Sequence, residues 1–141
     1  MIYYSNSPTE TAALAERFAA ELKPGDVITL NGDLGAGKTA FAQGLAKGLG
    51  ITEYLSSPTF TIVNCYEGRL PLYHFDVYRI ADEEEMYEIG YDEYIDGDGV
   101  CVIEWAELIK DILPPERYDI VIKKDYEKGE DYREIIIERK V

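Results

Sequence analysis

The stretch "NGDLGAGKTAFAQGL", Asn31 to Leu45, restricts this chain more than any other part of it. Gly32, four intervening residues and then Gly37-Lys38-Thr39 fit the pattern G-x-x-x-x-G-K-[ST], the P-loop. Each position has a physical reason. Glycines let successive backbone N–H groups turn inward around a phosphate, the lysine reaches the outer phosphates, and the threonine hydroxyl ligates magnesium. The preceding "DVITLN", Asp26 to Asn31, reads as a short buried strand through Val27, Ile28 and Leu30. Beyond the lysine, Phe41, Leu45 and Leu49 recur at i, i+4 and i+8 with Ala42 and Ala46 beside them, which marks one helix face. Strand, glycine loop and helix is the setting the motif needs, because the helix N-terminus adds unpaired N–H groups and the positive end of its dipole. The expected nucleotide site is therefore the run Gly32, Asp33, Leu34, Gly35, Ala36, Gly37, Lys38, Thr39 and Ala40, with a nucleoside triphosphate and Mg2+ as its occupants.

The remaining segments supply a sheet and its cover. "SPTETAALAERFAAEL" starts a helix with Ser7 as N-cap, Pro8 in the first turn and Glu10 closing a capping box. Leu14, Phe18 and Leu22 form its buried stripe, and Pro24-Gly25 turns the chain into the P-loop strand. "FTIVNCYEGRLPLYHFD" reads as an antiparallel pair around Glu67-Gly68. "VCVIE", Val100 to Glu104, is an apolar strand ending in a carboxylate, and "WAELIKDIL" is expected to continue as a helix up to Pro114-Pro115. "YDIVIKK" and "YREIIIERK" form a last strand pair joined near Gly129. The order implies an α/β P-loop NTPase fold: one domain over residues 1–141, with a mixed, mostly parallel central sheet flanked by helices and antiparallel strand pairs.

Composition narrows the function. The net charge of −14, from 28 acidic and 14 basic residues, opposes binding to a phosphate backbone, so contact with nucleic acid is expected to be indirect. Asp82 to Asp98 concentrates nine carboxylates without Lys or Arg and reads as either a solvated face or a docking surface for a basic partner. The longest apolar runs are far too short to span a membrane. The opening "MIYYSNSPTE" lacks a basic start and an apolar signal core, so a cytoplasmic protein is expected. Cys65 and Cys101 lie in strand-like stretches without a histidine or cysteine cluster and read as reduced core cysteines.

A P-loop needs an acidic residue at the end of a neighbouring strand, to hold magnesium or to position the attacking water. Glu104 after "VCVI" and Asp76 after "LYHF" both fit, and they are the candidate catalytic pair. His74, the single histidine, lies between Tyr73 and Phe75 and reads as a core residue.

"GDLGAGKT", "SSPTFTIVNCY", "LYHFDVYRI" and "VIEWAE" occur in an order and spacing that resemble the TsaE (YjeE) family, small bacterial P-loop ATPases needed to make threonylcarbamoyladenosine in tRNA. The resemblance runs over essentially the whole chain. It implies an ATP hydrolase that works with a TsaB–TsaD-type pair; that the chain alone is slow is a separate expectation, from Arg79 being the single nearby arginine. It also implies phosphate contacts from Lys38 and the loop amides, magnesium held by Thr39 and Glu104, Asp76 in the hydrolytic centre, and Ser57 to Thr61 as a switch-like loop. Residues near Ser7 to Thr9 and around Gly129 would face the nucleoside. Family members often carry Arg directly after that glycine; here Glu130 follows, and Arg133 is the candidate substitute.

Two other functions fit a P-loop of this size. A small-molecule kinase requires a basic lid, yet between Phe60 and Pro114 the only arginines are Arg69 and Arg79. A non-catalytic nucleotide-binding scaffold has the same sequence signature. A guanine reader would carry Asn-Lys-x-Asp, and the nearest match, Ile122-Lys123-Lys124-Asp125, has isoleucine where the amide is needed. Arg79 is the one nearby arginine able to neutralise transition-state charge in cis.

Overall fold

Strands that are apolar throughout must be covered on both faces, and the computed structural model, which describes residues 1–33, 36–56 and 62–141, shows how this is done. Seven strands form one sheet: β1 (Ile2–Ser5), β2 (Val27–Gly32), β3 (Val63–Tyr66), β4 (Leu72–Asp76), β5 (Val100–Glu104), β6 (Arg117–Lys124) and β7 (Arg133–Lys140). Their spatial order is β1-β7-β6-β2-β5-β4-β3. The inner strands β6, β2, β5 and β4 run parallel, while β3, β7 and β1 pair antiparallel at the two sides.

Helices α1 (Pro8–Ala19) and α2 (Lys38–Gly48) cover one face. Leu14, Phe18, Phe41, Leu45 and Leu49 pack there on Ile28, Leu30, Val102, Ile120 and Ile135. Ser7 caps α1 by accepting from the Glu10 N–H at 3.0 Å, and Glu10 accepts from the Asn6 N–H at 2.7 Å. The second bond reaches one residue before the cap, a small departure from the expected box. The two helices cross closely at Gly44, where a Cβ would lie 2.2 Å from the Ala12 carbonyl oxygen. The other face carries α3 (Glu84–Glu88), α4 (Tyr91–Ile95) and a 3₁₀ segment (Ala106–Ile112). Met86, Tyr91 and Ile109 from these pieces pack on Val27, Phe75, Cys101 and Ile103. The acidic run thus folds as two short helices that bury Met86 and Tyr91 and leave Glu84 and Glu88 exposed.

Two expectations change, and one strand was not foreseen. The opening residues form an edge strand, β1, whose four residues are too few to announce an alternation. "WAELIKDIL" is a kinked 3₁₀ segment rather than a continuous helix: Trp105 adopts a left-handed conformation (φ 63°) and Ile109 leaves helical geometry (φ −127°). Seven residues are too short for a helix to dictate its own shape, and Ile109, fully buried, takes the backbone angles its packing requires. Cys101 is buried as expected, but Cys65 is exposed on the edge strand β3, and both thiols are free. Among the described residues, no helix is long and apolar enough to cross a membrane.

Candidate functional site

Parallel strands deliver their last residues to one end of the sheet, and side-chain alternation decides which of those residues share a face. Register places Leu30 of β2, Glu104 of β5 and Asp76 of β4 in one row across three neighbouring strands. Leu30 packs with the helices α1 and α2, so Asp76 and Glu104 stand on the face that α2 covers. The two candidate carboxylates are therefore brought together at the strand ends, beside the start of α2.

That start has the form of a helix end that can receive an anion. Gly37 occupies the N-cap in a left-handed conformation (φ 107°), and no side chain among the described residues caps the helix. A helix start of this kind presents its first-turn N–H groups and the positive end of its dipole. Gly32 ends β2 at φ 154°, where a Cβ would come within 2.7 Å of the Ile122 carbonyl oxygen, so glycine is required by space as well as by conformation. The Ala36 N–H returns to the Asp33 carbonyl at 2.9 Å, which closes the described part of the loop. Leu34 and Gly35, together with Ser57 to Thr61 of the expected switch-like loop, lie outside the described residues.

A cleft of about 570 Å³ opens over this helix end, within the range of small-ligand sites. Lys38, Thr39, Asp76, Glu104 and Trp105 are among its lining residues, as are Pro8, Tyr54, Asp131 and Arg133. Pro8 brings the Ser7 to Thr9 region to the cleft. Arg133, the candidate substitute near Gly129, is in the wall and braces the loop: its Nε donates to the Ala36 carbonyl at 2.8 Å, and its Nη1 donates to the carbonyls of Glu130 (2.9 Å) and Tyr132 (2.7 Å). Arg79 is exposed and is not among the lining residues, so the cleft's arginine is Arg133 and not the one nearest Asp76 in sequence.

The charged centre is compact. Lys38 Nζ lies 3.8 Å from Glu104 Oε1, with both side chains 14% exposed, and 5.1 Å from the centroid of the Trp105 ring. Trp105 is itself tilted against Tyr78, ring centroids 4.8 Å apart. Its left-handed backbone (φ 63°) is an uncommon state for a bulky residue and falls where the chain turns out of β5. Asp76 Oδ1 accepts from the Tyr78 N–H at 3.1 Å, which fixes that carboxylate over the turn. Glu104 Oε2 is 2.7 Å from Nε2 of His74, a contact that the reading of His74 as core did not anticipate. The signal was present: His74 and Asp76 are two apart on one strand and must share a face.

Thr39, Glu104 and Asp76 offer only hard oxygen donors, the chemistry magnesium selects. Among the described residues there is no group of three or more His, Cys, Asp or Glu that could hold a metal ion by itself.

The same chain is similar to proteins of known family. Residues 5–135 match the family described as Threonylcarbamoyl adenosine biosynthesis protein TsaE. A relative from Bacillus subtilis (strain 168), named tRNA threonylcarbamoyladenosine biosynthesis protein TsaE, is 58% identical over 130 residues, 92% of this chain and 79% of the relative. A protein of the same name from Treponema pallidum (strain Nichols) is 50% identical over 110 residues, 78% of this chain and 82% of the relative. Among solved structures, the crystal structure of Bacillus subtilis YdiB matches with a TM-score of 0.82 and 50% identity, covering 100% of this chain and 85% of that one.

Proposed function

Since the chain belongs to the TsaE family of tRNA threonylcarbamoyladenosine biosynthesis proteins, we propose that it is a magnesium-dependent ATPase, slow alone, that serves this modification in the cytoplasm through a TsaB–TsaD-type protein pair. The observation that carries the reading is the Lys38–Glu104 pair at the uncapped N-terminus of α2, with Asp76 in register beside it. In this reading the amides of the loop and Lys38 hold the triphosphate, while the hydroxyl of Thr39 and the carboxylate of Glu104 hold magnesium. Bound magnesium would neutralise charge on the phosphate oxygens. Asp76 orients a water for in-line attack on the terminal phosphorus; the bond to the bridging oxygen breaks and leaves ADP and phosphate. Lys38 follows the charge as it builds on the oxygens of the transferred group. Arg133 is committed to three backbone carbonyls and supports the site by holding the loop, which favours slow turnover until a partner contributes.

The test is equilibrium binding of ATP and GTP with and without Mg2+, for the native chain and for Lys38→Ala. The expected result is preference for ATP, strengthening by Mg2+, and loss of binding in the variant with an unchanged circular-dichroism spectrum. Undiminished binding by folded Lys38→Ala would remove the P-loop assignment.

A further inference from the structure

His74 is buried, with its side chain only 5% exposed, and has one polar partner among the described residues, Glu104. We infer that His74 is a positioning residue for Glu104: its Nε2–H donates to Oε2 of the carboxylate and presents Oε1 to the cation side of the cleft. The inference rests on the reading of Glu104 as a magnesium ligand.

Strand register sets up the contact. His74 pairs with Val102 while Asp76 pairs with Glu104, so His74 and Glu104 are diagonal neighbours on adjacent parallel strands. On that face they are within side-chain reach, and their 2.7 Å separation falls in the range of a charge-assisted hydrogen bond.

The direction of the bond follows from the other ring nitrogen. Nδ1 is buried and has no hydrogen-bond partner among the described residues. A bare lone pair there forfeits less than a buried N–H would, and Glu104, ion-paired with Lys38, is an acceptor only. The proton therefore belongs on Nε2.

The two oxygens of Glu104 then have separate duties. Oε2 is pinned by His74, while Oε1 faces Lys38 at 3.8 Å. When Lys38 turns to the phosphates, His74 still holds the carboxylate, and Oε1 stays aimed at the space that the lysine shared. A merely space-filling residue at position 74 would leave Glu104 to find this orientation at each binding event. Loss of such an outer partner of a metal ligand typically weakens metal affinity about 10- to 100-fold.

Two measurements test the inference. Because His74 is the single histidine, one pair of ring-nitrogen signals in a 15N NMR spectrum at pH 8 reports its tautomer. The expected result is a protonated, slowly exchanging Nε2 and a bare Nδ1, with the slow exchange lost in Glu104→Ala. The second measurement is the Mg2+ concentration that half-saturates tightened binding of a non-hydrolysable ATP analogue. It should rise about 10- to 100-fold in His74→Phe or the smaller His74→Leu, with Mg2+-free binding unchanged. His74→Gln, whose amide can donate from nearly the same place, should stay close to native. A bare Nε2, with the ring proton on Nδ1 alone, would overturn the inference without need of any variant. So would native metal dependence in His74→Phe or His74→Leu while Glu104→Ala loses it. Native metal dependence in Glu104→Ala as well would bring down the magnesium reading, and this inference with it.

Discussion

Glu104→Gln should tighten the binding of nucleotide in the absence of metal, although it removes a residue from the site. Glu104 holds Lys38 at 3.8 Å, so the lysine must give up this partner to reach a phosphate. At that separation the bare attraction is about 1 kcal/mol with water-like screening and about 4 kcal/mol at an effective dielectric constant near 20. Desolvation and side-chain ordering offset most of the larger figure. A pair whose side chains are only 14% exposed should stand near the upper end of measured values for surface pairs, about 1 kcal/mol. Glutamine keeps the shape and can still accept from His74, so the change isolates the charge. Binding of ATP in EDTA should therefore strengthen about fivefold, from the roughly 1 kcal/mol no longer spent on releasing Lys38. In saturating Mg2+ the order should reverse, because the amide is a poorer ligand than the carboxylate. Isothermal titration in the two buffers measures both. Unchanged or weakened binding in EDTA, by a variant with native thermal stability, would refute the claim that Glu104 restrains the lysine.

Other expectations follow from the same structure. Asp76→Asn should lower turnover about a hundredfold or more with little change in ATP affinity, since orienting the attacking water matters mainly in the transition state; a matching loss of affinity in titration would contradict that role. Gly44→Ala should destabilise the fold by about 2 kcal/mol in urea unfolding, because the added methyl must push apart helices that leave 2.2 Å at that point. Native stability there would show that the crossing of α1 and α2 is looser than described. Burial pushes the Cys101 thiol up to about 12, so it stays protonated below that pH, while Cys65 is exposed. A thiol reagent at pH 8 should label one of the two cysteines in the native protein and both after unfolding; rapid double labelling would contradict the burial.

Much of this arrangement was legible in the residues because two periodicities dominate it. The apolar runs of β2 and β5 and the i, i+4 stripe of α2 locate the loop between strand and helix, and strand ends locate Asp76 and Glu104. Alternation could also have put His74 on the face of Asp76, but that Glu104 is within its reach depends on strand order and register, which are non-local. Trp105 marks another limit. Its left-handed backbone arises where β5 turns into a segment whose shape Ile109 fixes from the core, and helix propensity in "WAELIKDIL" competes with that packing and loses. The place of Arg133 was less visible still. It reaches Ala36 from the opposite end of the sequence because β7 lies beside β6, and β6 beside β2.

The central claim is that ATP hydrolysis at this site serves tRNA modification through protein partners. It is tested most directly by measuring ATP turnover and threonylcarbamoyladenosine formation together, with a TsaB–TsaD-type pair and substrate tRNA, as this chain is added or withheld. The expected result is slow turnover by the chain alone, faster turnover with the pair, and modified tRNA accumulating only with the native chain and not with Lys38→Ala. Equal modification with Lys38→Ala, or turnover unaffected by the pair at any salt concentration, would contradict it.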